Sequence, residues 1–152
     1  MPTYFVDTSA LFKRYLPERG SERMESLFLE SAEVFISTLT VVEFLSNLQR
    51  LRSADKVISD GQFSEAWAAF SLDLATGRIQ ALAVSAEVIG EGVQLLLTRC
   101  VTPIDALQVG TARSLGAETI IVSSDRGLNR LLAALGLRFL DPTGDEPSSQ
   151  LG

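Results

Sequence analysis

Apolar and polar positions along the chain alternate between two periods, the short unbroken runs of buried strands and the three-and-four spacing of amphipathic helices. Residues 3–6, TYFV, read as a buried strand. Residues 10–16 follow as a helix until Pro17 breaks the pattern. Met24, Leu27 and Phe28 recur at helical spacing within 21–30. Residues 34–37 predict a second strand and 40–52 a strong helix. Phe63, Trp67, Phe70 and Leu74 form a stripe along a helix at 64–74, suited to core or to a subunit contact. Gly77 caps that helix, 79–84 predicts a third strand, and 85–99 a helix weakened by Gly90 and Gly92. Residues 103–115 read as a helix stopped by Gly116, and 119–123, TIIVS, as the clearest buried strand. A helix at 127–135 ends at Gly136, and 138–140 is a last short strand.

Strands alternating with helices predict a three-layer α/β/α sandwich around a mostly parallel sheet, in one domain over residues 1–141. The polar, Pro- and Gly-rich segment 142–152 is expected to be a disordered tail. No internal repeat is visible.

Sites in such sheets form beyond the carboxyl ends of the strands, so the acids there matter. Asp7 closes the first strand, Glu43 follows the second in ISTLTVVEF, and Asp125 follows TIIVS in VSSDRGL. Asp105 opens a helix in VTPIDAL. Each has a local alternative. Thr40 and Glu43 fit a capping box, and Thr102 and Asp105 fit another with Pro103 at the first helical position. Asp7 and Asp125 precede helices, where an acid gains about 0.3–1 kcal/mol from the positive helix end. Convergence changes that balance, because two unit charges 4 Å apart repel by roughly 4 kcal/mol at an effective dielectric of 20. Four converging carboxylates need a divalent cation or protons, and oxygen-only ligands suit Mg²⁺ or Mn²⁺. Glu43, Asn47 and Arg50 share a helix face, as do Asp105 and Gln108. Asn47 could hold a metal-bound water and Arg50 a phosphate, against the alternative of a solvated face.

Composition narrows the chemistry. The 152 residues contain no histidine, which removes Ser-His-Asp and Cys-His pairs, paired-histidine ribonuclease chemistry and histidine-ligated zinc. Cys100 is the single cysteine, so neither an internal disulfide nor a zinc cluster is available. No apolar run approaches the ~20 residues that span a bilayer, and no export signal is visible, so a cytoplasmic protein without membrane contact is expected. The net charge of −6 argues against a broad basic face for nucleic acid. Lys13, Arg14, Arg19, Arg23, Arg50 and Arg52 could still supply a local basic rim.

The order DTSAL, VVEF, PIDALQVGTA and SSDRGL resembles the PIN-domain nucleases, and most closely the VapC toxins of type II toxin–antitoxin modules, over about residues 3–141. The resemblance implies that Asp7, Glu43, Asp105 and Asp125 hold Mg²⁺ or Mn²⁺ and carry phosphodiester hydrolysis. Ser9 and Ser123 fall on the family's hydroxyl positions. Thr8, Asn47 and Gln108 complete the expected supporting groups, and Arg14 and Arg50 the expected substrate contacts. It further implies an RNA endonuclease, usually a homodimer, silenced by a small antitoxin. Two departures stand out: Gln108 replaces the histidine of many relatives, and SSD replaces the commoner Thr-x-Asp. A PIN nuclease outside any toxin–antitoxin pair and a non-catalytic binding scaffold are the alternatives. A haloacid dehalogenase-type phosphatase would need an acid where Ser9 stands, and a receiver domain a late lysine, whereas none follows Lys56.

Overall fold

In the first strand, alternate side chains enter two different cores. Tyr4 and Val6 join one apolar cluster and Phe5 joins the other. That period of two, with both faces apolar, is what a strand covered by helices on each side requires. The computed structural model describes residues 2–30 and 33–144. Its elements are β1 (Thr3–Val6), α1 (Thr8–Tyr15), α2 (Ser21–Leu29), β2 (Glu33–Ser37), α3 (Thr38–Ser53) and α4 (Asp60–Ala75). They continue with β3 (Gln80–Leu82), α5 (Ala86–Thr98), α6 (Pro103–Ser114), β4 (Ile120–Val122), α7 (Arg126–Ala134) and β5 (Phe139–Leu140).

The strands form one parallel sheet in the order β3-β2-β1-β4-β5, with Tyr4 opposite both Val34 and Ile120. This is the expected α/β/α sandwich. The chain starts at the centre, winds to one edge, then returns to β4 on the other side of β1. The strand order therefore reverses between β1 and β4, where open α/β sheets leave a crevice beyond the strand ends.

On one face, α1 to α4 contribute Leu11, Phe12, Met24, Phe44, Leu48 and Phe70 to the first core. The 63–74 stripe belongs to this core: the Phe44 and Phe70 ring centroids lie 4.5 Å apart, and Trp67 stacks on Phe44 at 6.5 Å. On the other face, α5 to α7 supply Leu95, Val109, Leu128, Leu131 and Leu132.

Several boundaries differ from the sequence expectation, the helix starts because of their caps. Helix α3 begins at Thr38, because the Ser37 hydroxyl accepts the Leu39 amide at 3.1 Å. The expected Thr40–Glu43 capping box is therefore not formed, and Glu43 lies in the second turn with its side chain free for other partners. Helix α4 starts at Asp60 through a capping box between Ser59 and Gln62. The third strand shortens to an edge strand of three residues. Residues 142–144, expected to be part of a disordered tail, instead turn back on Asp141. The Gly144 and Thr143 amides donate to its carbonyl and carboxylate, each at 2.9 Å. The remainder of that expectation, 145–152, lies outside the described residues.

Helices α5 and α6 approach closely at two glycines. A Cβ on Gly110 would stand 3.0 Å from the Val88 carbonyl oxygen and 3.3 Å from the Glu91 Cβ, and one on Gly92 would meet Leu107 at 3.3 Å. This contact sets the height of α6, and with it of Asp105 and Gln108. Alanine is the better helix former by about 1 kcal/mol. The obstacle at Gly110 is backbone, however, so overpacking outweighs that gain. Gly110→Ala should lower unfolding stability by about 1–2 kcal/mol in a urea titration; a stabilised variant would show that the helices separate without cost.

Candidate active site

Asp7 leaves β1 at the reversal point, where its amide donates to the Val122 carbonyl at 2.9 Å. Asp7 is only 8% exposed, and a buried charge without partners is costly. The sequence supplies the partners. Oδ2 accepts the Ser9 amide at 3.3 Å and the Ser9 hydroxyl at 2.7 Å, so Asp7 caps α1. Oδ1 accepts the Gln108 side-chain amide at 3.1 Å, across from α6. The Ser9 hydroxyl in turn accepts the Ser124 amide at 3.0 Å, tying α1 to the loop after β4.

Glu43 comes up from α3. Its Oε1 accepts the Thr8 hydroxyl at 3.1 Å. Thr8 also lies 3.4 Å from the Thr40 hydroxyl, which accepts the second Gln108 amide hydrogen at 3.1 Å. A continuous polar chain, Glu43–Thr8–Thr40–Gln108–Asp7, thus joins α3, α1 and α6. Asp125 caps α7 by accepting the Leu128 amide at 3.0 Å. The fully buried Ser123 accepts the Asp125 amide at 3.1 Å, and the Asn129 side chain holds the Ser123 carbonyl at 2.9 Å. Asp105 stands in the first turn of α6, its amide held by the Thr102 hydroxyl at 3.2 Å.

Glu43 and Asp105 feel the charges of the other acids. Burial pushes the Glu43 carboxyl above its ordinary range, and the charges of Asp7 and Asp105 push it further, against the Thr8 hydrogen bond. Burial likewise raises Asp105, with Asp125 and Asp7 adding to it and the Thr102 side chain opposing. Each acid is therefore linked electrostatically to at least one other. The cluster is open, for among the described residues no three carboxylates stand in a coordinating arrangement. In donor chemistry it suits a hard divalent cation, being all oxygen. The buried Gln108 Oε1 beside it has no hydrogen-bond partner in the structure, as expected where a water or ion would complete the site.

The expected supporting groups fall into three sets. Thr8, Ser9, Gln108 and Ser123 all lie in this network. Asn47 is half-buried one turn beyond Glu43, with no hydrogen bond to any of the four acids among the described residues. The two arginines expected to meet substrate are placed otherwise. Arg14 Nε pairs with Asp73 Oδ2 at 2.9 Å, and its guanidinium lies 3.8 Å over the Phe28 ring, so it fastens α1 to α4 and α2. Arg50 is exposed further along α3, 3.8 Å from Asp55. Sequence reasoning missed Thr40, which it assigned to a cap, and Asn129. It also missed Arg99 and Arg130, which line a cleft of about 700 Å³ with Asp105. The spacing of Thr40 three residues before Glu43, on the same helix face, was the available signal for the first.

The fold is a parallel α/β/α sandwich with an acidic edge at the strand reversal. The PIN domain family model matches residues 4–132, and the chain belongs to the PIN domain family. No curated protein sequence matches it significantly. Among solved structures, the fold is similar to that of a toxin–antitoxin complex from Klebsiella pneumoniae, at 15% identity and a TM-score of 0.64, covering 92% of this chain and 98% of that one. It is similar to DNA-bound VapBC from Salmonella typhimurium, at 19% identity and a TM-score of 0.62, covering 93% and 99%. It is also similar to VapC20 from Mycobacterium tuberculosis, a sarcin-ricin loop cleaving toxin, at 16% identity and a TM-score of 0.61, covering 89% and 96%. Among the described residues, no helix is long and apolar enough to cross a membrane.

The raised acids give a stability test. A carboxyl whose native pKa exceeds its unfolded value binds protons more readily when folded. The resulting cost is present in full above the native value and is lost as pH falls through the ordinary carboxylate range. Both groups are partly solvated, which screens the effect. In metal-free solution at neutral pH, Asp105→Asn should melt about 1–3 °C above the parent chain. The gap should close near pH ~4, where the acids protonate. Calorimetry across pH checks this; an unchanged or lower melting point at neutral pH would mean that the acids do not repel.

Proposed function

We propose that the chain is a Mg²⁺- or Mn²⁺-dependent endoribonuclease, a cytoplasmic PIN toxin held inactive by a small antitoxin. The observation that carries this is the half-buried pair Glu43 and Asp105 at the strand reversal, each held above the ordinary carboxylate range by burial first and by neighbouring acids second. The fold gathers acids that repel, an arrangement suited to a bound divalent cation. Asp7, Glu43, Asp105 and Asp125 would hold the ion. When bound, it would supply Lewis-acid polarisation of a phosphodiester and a lowered pKa for a coordinated water. The chain's own groups do the positioning. Ser9 and Gln108 fix both oxygens of Asp7, Thr8 orients Glu43, and Ser123 fixes the backbone of Asp125. Histidine is not needed, since no step calls for an imidazole base.

The partner is inferred from the relatives of similar fold, two of which are toxin–antitoxin complexes by description. A homodimer is part of the proposal and finds support on α5, where Ile89, Val93, Leu96 and Leu97 expose a continuous apolar stripe. The open spacing of the acids favours a second reading, a PIN scaffold that binds RNA or protein without cutting. A third, a nuclease that works without an antitoxin, differs only in what controls the site.

Purified protein incubated with a pool of structured RNAs should cut in Mg²⁺ or Mn²⁺ and not in EDTA. Asp7→Asn should reduce the rate by roughly 10²–10³-fold or more, the range for losing one charge-stabilising group at a reaction centre. RNA binding without cleavage in any divalent ion would select the scaffold. Thr8→Val, which keeps the shape and removes the Glu43 hydrogen bond, should weaken metal affinity or activity ~10–100-fold. Calorimetric titration with Mn²⁺ reads the affinity directly; an unchanged value would remove Thr8 from the positioning role.

A further inference from the structure

We infer that the cleft between α7 and the α5–α6 connection is the channel that seats the single-stranded RNA flanking the cut. This rests on the ribonuclease reading and adds to it a binding surface on a different side from the arginines of α1 and α3. The cleft encloses about 700 Å³, within the roughly 300–1,000 Å³ range of ligand sites. Asp105 forms part of its wall, so it is continuous with the acidic cluster.

Arg99, at the C-terminal end of α5, and Arg130, on the outer face of α7, both line it. Both side chains are exposed, and neither forms an ion pair or hydrogen bond among the described residues. Arg14, Arg50, Arg52, Arg113 and Arg138 each face a carboxylate, and Arg19, Arg23 and Arg126 do not line this cleft. Unpaired guanidinium groups beside an acidic centre are placed to meet phosphates, which the acids themselves would repel. Val101, Leu131 and Ala134 add an apolar wall suited to base faces. Along the α7 axis, Arg130 is about 7.5 Å of rise beyond Asp125 at 1.5 Å per residue. The chain is acidic overall, so the local pair replaces the broad basic face it lacks.

The lone thiol provides a reporter, because Cys100 is exposed on the wall of the same cleft. The experiment uses a short fluorescein-labelled single-stranded RNA of random sequence, with Ca²⁺ in place of Mg²⁺ and the RNA checked intact afterwards. Fluorescence anisotropy over a series of salt concentrations is measured for the parent chain, Arg99→Gln, Arg130→Gln, the double variant and Arg138→Gln as control. Circular dichroism confirms that each is folded. RNA should slow alkylation of Cys100 by iodoacetamide in the parent chain. Each cleft variant should bind roughly 10-fold more weakly, as for loss of one charged hydrogen bond. The slope of log affinity against log salt should fall by about 0.7 for each arginine removed. Arg138→Gln should match the parent.

RNA binding with an unchanged slope in the double variant and no protection of Cys100 would overturn the channel while leaving the ribonuclease reading intact. Protection of Cys100 by an acidic peptide but not by RNA would likewise overturn it and assign the cleft to a protein partner. Failure of the parent chain to bind RNA at any salt would remove the ribonuclease reading, and the channel with it.

Discussion

Asp7 is a buried charge at the end of the central strand, and the rest of the site is arranged around satisfying it. Its two oxygens take hydrogen bonds from α1 and from α6. The donors are themselves tied to the loop after β4 through Ser9 and to α3 through Thr40. One carboxylate therefore fixes four elements relative to each other. Removing a single partner would leave buried polar atoms unpaired, which costs more than the bond itself contributes. Gln108 is well suited to this position. It donates twice, stays neutral at every pH, and so neither adds to nor cancels the charge of the cluster.

The same arrangement sets binding against stability. The packing that brings Glu43 and Asp105 toward Asp7 and Asp125 raises both of the former, so the metal-free chain is folded in spite of its acids. The two apolar cores offset that cost from either face of the sheet. The aromatic group of Phe12, Phe44, Trp67 and Phe70 lies on one side, and the close α5–α6 crossing at Gly92 and Gly110 on the other. Repulsion near the acids and dense packing away from them follow one logic: the two cores hold together a strand end where charged groups crowd.

Basic residues are divided by the same geometry. Arginines on α1 and α4's neighbours serve as struts, as Arg14 does between Asp73 and Phe28. Arg99 at the far end of α5 and Arg130 on α7 line the cleft beside Asp105 without an ion pair among the described residues. A uniform count of charge hides this division, since net charge says nothing of which cations are already committed to carboxylates.

Much of the fold was legible in the chain itself. Two-sided apolar strands, helical stripes and glycine stops fixed the α/β order, and the acids after β1 and β4 could be placed at one edge once the strands were read as parallel. These are local patterns with a single physical reading. Helix starts were less legible, because competing caps such as Ser37 and Thr40 differ only in which amide they reach. The use of each arginine was not legible at all. Arg14, Arg99 and Arg130 look alike as sequence, and only packing shows that Asp73 and Phe28 claim the first while no described residue pairs with the other two. Sequence determined which groups could serve a site; tertiary structure decided which of them remained free, because a side chain's partners come mostly from elements distant in the chain.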